Sequence, residues 1–169
     1  MFAYTKQRQE DKEMKRSEVR EHVFKIVFRT AFYPQEEWDE QVVFYLEQLS
    51  NSKMEAWREK NVVIEEDKRA YFEYLEKIEA ELEPIGKRAK QIFATIGEVD
   101  SVIESISEGW KIGRIGKVEL AILRVAIFEI QKDNDIPTGV AINEAVELAK
   151  VYGTEKSARF INGLLAKLA

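Results

Sequence analysis

Two pairs of basic residues near the amino end have the spacing needed to bind neighbouring phosphate groups. Arg16 and Arg20 are four residues apart, as are Lys25 and Arg29. On an α-helix this spacing places both members of a pair on one face, where a guanidinium can form charge-assisted hydrogen bonds with phosphate oxygens. The same spacing also suits a solvated face with ion pairs inside the helix, for example between Lys25 and Glu21. The pattern alone leaves polyanion binding and a plain charged surface both open.

Residues that commonly support catalysis or metal binding are scarce. The chain has no cysteine and one histidine, His22, so it lacks thiolate ligands and a thiol nucleophile. A helical carboxylate metal site would require a glutamate followed three residues later by histidine, and that motif is absent. Phosphate-binding glycine loops are absent as well. We therefore expect no catalytic residue, metal or cofactor, and we expect Glu129 and Arg124 to make buried polar contacts.

The charge is distributed unevenly along the chain. The net charge is −5, yet residues 1–29 contain eight basic and five acidic side chains, so this end carries +3 and the remainder −8. Five contacts to single-stranded RNA would give a salt slope of about −3.5, which loses on the order of a hundredfold in affinity between 50 and 200 mM salt. Specific binding would therefore need base stacking on aromatic rings or readout of the edges of unpaired bases, and Phe28 and Phe160 are candidates for this contact. Core packing is the alternative role for both rings.

The length and composition suit one globular domain. At 169 residues, 45% hydrophobic and 34% charged, the chain can bury a substantial core. We predict a disordered extension at residues 1–13 and a single helical domain at residues 14–169. No apolar run is long enough for a membrane span, no secretory signal is visible, and the lack of cysteine fits a cytoplasmic protein.

Apolar residues recur at helical spacing along most of the chain. Ser17 is a plausible N-cap for a first helix ending near Tyr33, and a second helix covers residues 38–49. Residues 50–65 are predicted to form a loop that contains at most one helical turn. A third helix begins near residue 71, is interrupted at Pro84 and Gly86, and continues beyond them in a new direction. Further helices are predicted at residues 99–106 and 118–130, the latter buried on most faces, so the fold class is all-α, with about seven helices in two small packed subdomains.

The segment from Asp135 to Leu165 is predicted to form two short helices joined at Gly153. Asn143 and Asn162 stand among apolar residues in these helices, although asparagine is a poor interior helix residue. We therefore expect both amides to be buried and to satisfy backbone groups of neighbouring helices. On this hypothesis Asn162→Leu destabilises the fold.

Three blocks of the sequence are similar, in order and spacing, to the NusB family of bacterial transcription antitermination factors. The first is REHVFKIVF, residues 20–28. The second is WKIGRIGKVELAILRVAIFEI, residues 110–130, which resembles the family's tryptophan, arginine and leucine-arginine-x-alanine-x-x-glutamate pattern. The third lies within residues 136–163 and includes VAINEA, LAK, YG and FING. The third block is the most specific, and together the blocks identify the chain as resembling this family.

The resemblance implies an all-α protein that binds RNA and catalyses no reaction. Family members bind the boxA element of nascent ribosomal RNA together with the small-subunit ribosomal protein called NusE, and the pair helps to recruit RNA polymerase into a termination-resistant complex. The family's RNA contacts come from the starts of the first and last helices. The matching positions here are Lys15, Arg16, Arg20, Phe28, Lys156, Arg159 and Phe160.

The basic start of the first helix is expected to lie beside the start of the last helix, forming one composite site for an unpaired strand. The family often has consecutive arginines where this chain has Ser17 and Glu18, which motivates the alternative of a protein-interaction module with weakened RNA binding. A second alternative is a detached NusB-like domain of an RNA cytosine methyltransferase, although no second domain or glycine-rich cofactor loop is present. Because some members dimerise, a homodimer is also left open.

Overall fold

Seven α-helices and no β-strand are present in the computed structural model, which describes residues 13–61 and 68–169. This confirms the predicted all-α class. The predicted extension at residues 1–13 lies outside the described residues except for residue 13. In chain order the helices are α1 (Arg16–Arg29), α2 (Trp38–Lys60), α3 (Arg69–Ala94), α4 (Ile96–Ile106), α5 (Lys117–Lys132), α6 (Thr138–Tyr152) and α7 (Ser157–Leu165).

Helix α5 is the centre of the fold, as its nearly uniform apolar sequence predicts. Every residue from Leu120 to Glu129 is buried, which is the environment that a helix apolar on all sides requires. Helices α1, α4, α6 and α7 pack around it. The α2–α3 hairpin joins this group mainly through α1, and the buried side chains of both groups form one continuous core.

The directions of α1 and α6 relative to α5 determine which ends of these helices lie close together. Arg20, near the start of α1, contacts Glu129 near the end of α5. Lys117, at the start of α5, lies against Phe32 just beyond the end of α1. Helices α1 and α5 are therefore antiparallel. The ring of Tyr152, at the end of α6, packs on α1, so the end of α6 lies near the second half of α1.

Two predictions for the α2–α3 region are wrong. Helix α2 continues through the predicted loop as far as Lys60, because no proline or glycine interrupts it and Met54 and Trp57 continue its packing stripe. Residues 62–65 of that loop lie outside the described residues. Helix α3 runs unbroken through Pro84. Gly86 does not end α3; it permits close packing, since a Cβ there would lie 2.9 Å from Leu46 Cδ1.

The last two helices form as predicted, but their asparagines do not lie in the core. Helix α6 ends at Tyr152, and Gly153 begins the connection to α7. Asn143 and Asn162 are both exposed, and neither side chain hydrogen-bonds to another described residue. The buried positions of α6 and α7 are instead alanine, leucine, isoleucine and serine. The prediction of two buried amides is therefore wrong, because each asparagine lies just outside its helix's apolar stripe.

Candidate nucleic-acid interface

Lys15 and Arg16 present exposed positive charge at the start of α1. Both are exposed, and the backbone N–H of Lys15 donates to the Glu18 carboxylate at 2.7 Å, which fixes the helix start. Arg16 lines a cleft between α1, α3 and the α5–α6 turn, where Arg88 pairs with Asp133. Both predicted contacts at this end are available to a polyanion.

Arg20 is not available in this way. It is 7% exposed, and its Nε donates to both oxygens of Glu129 at 2.9 and 3.0 Å. Its Nη1 donates to Glu144 at 3.0 Å. Burial raises the pKa of Glu129, while the positive charge of Arg20 acts in the opposite direction. The prediction that Arg20 offers its guanidinium to phosphates is wrong, because it lies on the face of α1 that carries Val23 and Phe24 into the core.

Arg124 forms the other buried arginine pair. Its Nε and Nη2 each donate at 2.8 Å to Asp100 of α4. The buried polar contacts predicted for Glu129 and Arg124 are thus confirmed, although each pairs with a different helix. Both arginines hold helices onto α5 and neither offers charge to a ligand.

An aromatic surface lies where α1 ends and α5 begins. Phe28 is half-buried, with its ring centroid 6.2 Å from that of Phe24 and 5.2 Å from that of Phe32. Phe32 is 56% exposed, and the ammonium of Lys117 lies 4.8 Å from its ring centroid. Phe28 therefore packs against the core, which is one of the two roles considered for it, and supports the more accessible ring of Phe32. Ligand contact by Phe28 stays a prediction.

A groove at the starts of α5 and α7 combines aromatic and basic side chains. Trp110 is 53% exposed and its ring centroid lies 6.3 Å from that of Phe160. Arg114 and Lys156 lie on the same groove, which has a volume of about 300 Å³. We call this surface the α5–α7 groove; the residues lining it are Trp110, Arg114, Ile115, Gly116, Glu119, Thr154, Lys156, Ser157 and Phe160.

The turn before α7 holds this groove in place. The buried hydroxyl of Ser157 donates to Glu119 of α5 and accepts a hydrogen bond from the backbone N–H of Thr154 at 2.8 Å. Gly153 lets the chain turn closely, because a Cβ there would lie 2.5 Å from the Cβ of Ser157. The start of α7, and with it Lys156, is therefore fixed against the start of α5.

A polar cluster ties the end of α6 to the middle of α1. The hydroxyl of Tyr152 donates to Glu21, and Lys25 pairs with Glu21 at 3.0 Å. The hydrogen bond from Tyr152 is the main cause that lowers the pKa of Glu21. The alternative in which Lys25 pairs with Glu21 inside the helix is thereby confirmed. Lys25 lies 5.7 Å from the Tyr152 ring centroid, so its charge belongs to this cluster.

The predicted single composite site does not form as expected. Ser157 contacts Glu119 near the start of α5, whereas Arg20 contacts Glu129 ten residues further along. At 1.5 Å per residue these contacts are about 15 Å apart along α5. The start of α1 therefore does not lie beside the start of α7. It is the end of α1, with Phe28, that lies toward this end of α5.

The structure thus brings three of the predicted positions, Phe28, Lys156 and Phe160, to one end of the molecule. Arg159 is exposed on α7 next to Phe160, while Lys15 and Arg16 lie at the opposite end of α1. Sequence reasoning missed four groove-side residues. Three of them, Trp110, Arg114 and Lys117, lie in the second block, where exposed aromatic and basic residues interrupt an apolar pattern. The fourth, Phe32, lies in the turn after α1.

Metal-holding groups and membrane-spanning helices are both absent from residues 13–61 and 68–169. No group of three histidine, cysteine or acidic side chains within these ranges is arranged to hold a metal ion. Among the helices of the same ranges, none is both long enough and apolar enough to cross a bilayer.

Comparison with known proteins assigns the family. The NusB family model matches residues 17–169. The chain is 40% identical over 155 residues to the transcription antitermination protein NusB of Lachnoclostridium phytofermentans, covering 92% of this chain and 98% of that one. It is also 40% identical over 156 residues to the NusB protein of Agathobacter rectalis, covering 92% of this chain and 100% of that one.

A solved structure agrees with the sequence matches. The fold is similar to that of T. maritima NusB, with a TM-score of 0.69 and 26% identity over 94% of this chain and 92% of that one. Because the sequence matches and the fold agree, the chain belongs to the NusB family of transcription antitermination proteins.

Proposed function

We propose that this protein is an antitermination factor that binds boxA-type single-stranded RNA in the α5–α7 groove, together with the ribosomal protein NusE. The observation that carries this proposal is the pair of accessible rings, Trp110 and Phe160, with Arg114 and Lys156 beside them. Proteins that bind single-stranded nucleic acid combine stacking rings with cations along the backbone path in this way. The function requires binding alone, without catalysis or a cofactor, and places the protein in the cytoplasm beside the nascent transcript.

Stacking has to contribute because the net charge of −5 does not favour RNA over the whole surface. Four cations lie on or next to the groove: Arg114, Lys117, Lys156 and Arg159. A strand held by these four alone would show a salt slope of about −2.8, and a strand that also reaches Lys15 and Arg16 about −4.2. The start of α1 is about 20 Å along the helix from Phe28, so the larger slope requires an extended strand.

The partner protein follows from the family. We propose that NusE binds beside the RNA and that the complex acts on RNA polymerase, since a factor without catalytic groups influences transcription by assembling other components. Self-association is a separate proposal with its own measurement: sedimentation velocity with and without RNA shows whether a homodimer forms and whether RNA competes with it.

The test is a fluorescence binding assay with a boxA-type RNA and a scrambled RNA of equal length, each with and without NusE. We expect the boxA-type strand to bind more tightly, and the difference to grow when NusE is present. Lys156→Ala should weaken binding, whereas Lys87→Ala, which removes an equally exposed charge from α3, should leave it nearly unchanged. Equal binding of the two RNAs in both conditions would contradict the proposal.

A second candidate function, a protein-interaction module with weakened RNA binding, is favoured by one observation. Burial of Arg20 leaves Lys15 and Arg16 as the exposed cations at the start of α1, with Ser17 and Glu18 directly after them. If NusE binds normally while no variant of the groove or of α1 changes RNA affinity, this second function replaces the first.

A further inference from the structure

We propose that the outward face of α2 is a docking surface for a basic amphipathic helix of another protein, independently of RNA binding. The surface, which we call the α2 acidic face, consists of Asp39, Glu40, Val43, Phe44 and Glu47, and the groove along it is also lined by Gln41 and by Lys90 of α3. Four of these positions, 40, 43, 44 and 47, follow the i, i+3, i+4, i+7 spacing of one helix face. They line an open groove of about 480 Å³.

The apolar centre of this face has no role in the core of the chain. Val43 is 50% exposed and Phe44 is 48% exposed, although the preceding Val42 is 1% exposed. Helix α2 therefore buries its other side and leaves these two side chains outward. Arg29 of α1 lies 5.3 Å from the Phe44 ring centroid and holds the ring beside α1. Adjacent exposed apolar side chains with a charged rim are typical of a protein interface.

The rim of the face carries strong negative charge. Asp39, Glu40 and Glu47 line the groove, which Lys90 contacts from α3, and two further acidic residues, Glu36 and Glu37, directly precede this part of α2 in the chain. In the described part of the chain none of the five forms a salt bridge, whereas other surface carboxylates, such as Glu81, Glu98 and Glu108, each pair with a lysine. The charge on this face is therefore available to a partner.

These two properties together define the occupant. An apolar pair of side chains needs apolar contacts, and the surrounding carboxylates need cations, so the complementary ligand carries an apolar stripe between rows of lysine or arginine. The groove extends over two turns of α2, about 10 Å, which suits a helix laid against it. RNA and anionic lipid surfaces are both repelled by the same carboxylates.

The probe for the test is a fluorescein-labelled peptide of about 14 leucines and lysines, with the leucines at helical spacing. A peptide of the same composition in scrambled order is its control. We expect Glu40→Lys with Glu47→Lys to weaken binding of the helical peptide at least about tenfold, and the same charge change at the exposed Glu76 and Glu79 of α3 to weaken it less than about threefold.

The apolar contribution is tested separately. Phe44→Ala should weaken peptide binding about fivefold while leaving RNA binding unchanged, and Phe72→Ala, which removes a ring that is 55% exposed on α3, should have no such effect. Equal losses for both charge variants, or equal binding of the scrambled peptide, would overturn the proposal. It would also be overturned if sedimentation showed that the wild-type chain self-associates and that Phe44→Ala abolishes the association, because the occupant would then be a second copy.

Discussion

Arg20 and Glu129 form a buried ion pair between residues 109 positions apart in the chain. Arg20 Nε donates to both carboxylate oxygens at 2.9 and 3.0 Å, and the two residues are only 7% and 5% exposed. The pair joins the start of α1 to the end of α5 and fixes their antiparallel arrangement. A second carboxylate, Glu144 of α6, accepts from the same guanidinium, so three helices meet at this arginine.

Arg20→Ala is expected to lower the free energy of unfolding by about 3–5 kcal/mol, because it leaves the Glu129 carboxylate buried without its partner. Urea unfolding measures the change. Arg16→Ala is the matched control, since Arg16 is exposed one turn earlier on α1, and it should change stability by less than about 0.5 kcal/mol. Replacing both partners, with Arg20→Met and Glu129→Leu, should restore most of the loss. Equal stability of the two single variants would contradict a structural role for Arg20.

Gly153 and Gly163 should respond oppositely to alanine. A Cβ at position 153 would lie 2.5 Å from the Ser157 Cβ and 2.7 Å from the Ala149 carbonyl oxygen, so Gly153→Ala should destabilise by about 1–3 kcal/mol. A Cβ at position 163 would meet nothing within 4 Å, and Gly163 lies inside α7, so Gly163→Ala should stabilise by about 0.5–1 kcal/mol. Thermal melts of both variants provide the comparison, and a stabilising Gly153→Ala would show that the turn can relax.

The sequence pattern predicted which helices exist better than it predicted which way their polar residues face. The spacing of Arg16 and Arg20 correctly predicted that they share one face of α1. One helical turn beyond the exposed Arg16, however, this face packs against the core, and Arg20 is buried there. Spacing carries no information about where a face meets its neighbours. Since Arg20 is in register with Val23 and Phe24, and Glu129 lies in an otherwise apolar stretch of α5, only their pairing across 109 positions reveals the role of each.

Local rules also failed where packing outweighs them. Proline inside a helix removes one backbone hydrogen bond, yet α3 continues through Pro84 because residues on both sides of it pack into the core. Asn143 and Asn162 were expected to be buried because apolar residues surround them in sequence, but the helical rotation of 100° per residue places them outside the apolar stripe. The α5–α7 groove was only partly predictable, since it joins residues of two segments that are far apart in the chain, 110–119 and 154–160.

Trp110→Ala is expected to weaken binding of a boxA-type RNA by about 1–3 kcal/mol, the usual contribution of one stacked base. The melting temperature should stay nearly constant, because Trp110 is 53% exposed. Phe72→Ala removes a comparably exposed ring from α3 and serves as the control. Affinity that is unchanged in the Trp110 variant, measured by fluorescence anisotropy at fixed salt, would remove this ring from the proposed binding site.

His22 should make the stability depend on pH in the weakly acidic range. Burial lowers the pKa of His22 below its ordinary value of 6.5, and the charge of Lys25 lowers it further. Its Nδ1 is hydrogen-bonded to the Tyr45 hydroxyl at 2.6 Å, which joins α1 to α2. Because the folded state binds a proton less readily than the unfolded state, the stabilising contribution is present above pH 6.5 and is lost as the pH falls through the lowered pKa.

His22→Gln removes this titration, and because the chain has a single histidine, the comparison isolates one imidazole. Urea unfolding of both proteins between about pH 7 and pH 5 should show a steeper loss of stability for the wild type. Carboxylates such as Glu129 titrate in both proteins, so their contribution cancels in the difference between the two curves. Parallel curves would mean that His22 has the same pKa in the folded and unfolded chain, and the His22–Tyr45 contact would then provide no pH-dependent coupling between α1 and α2.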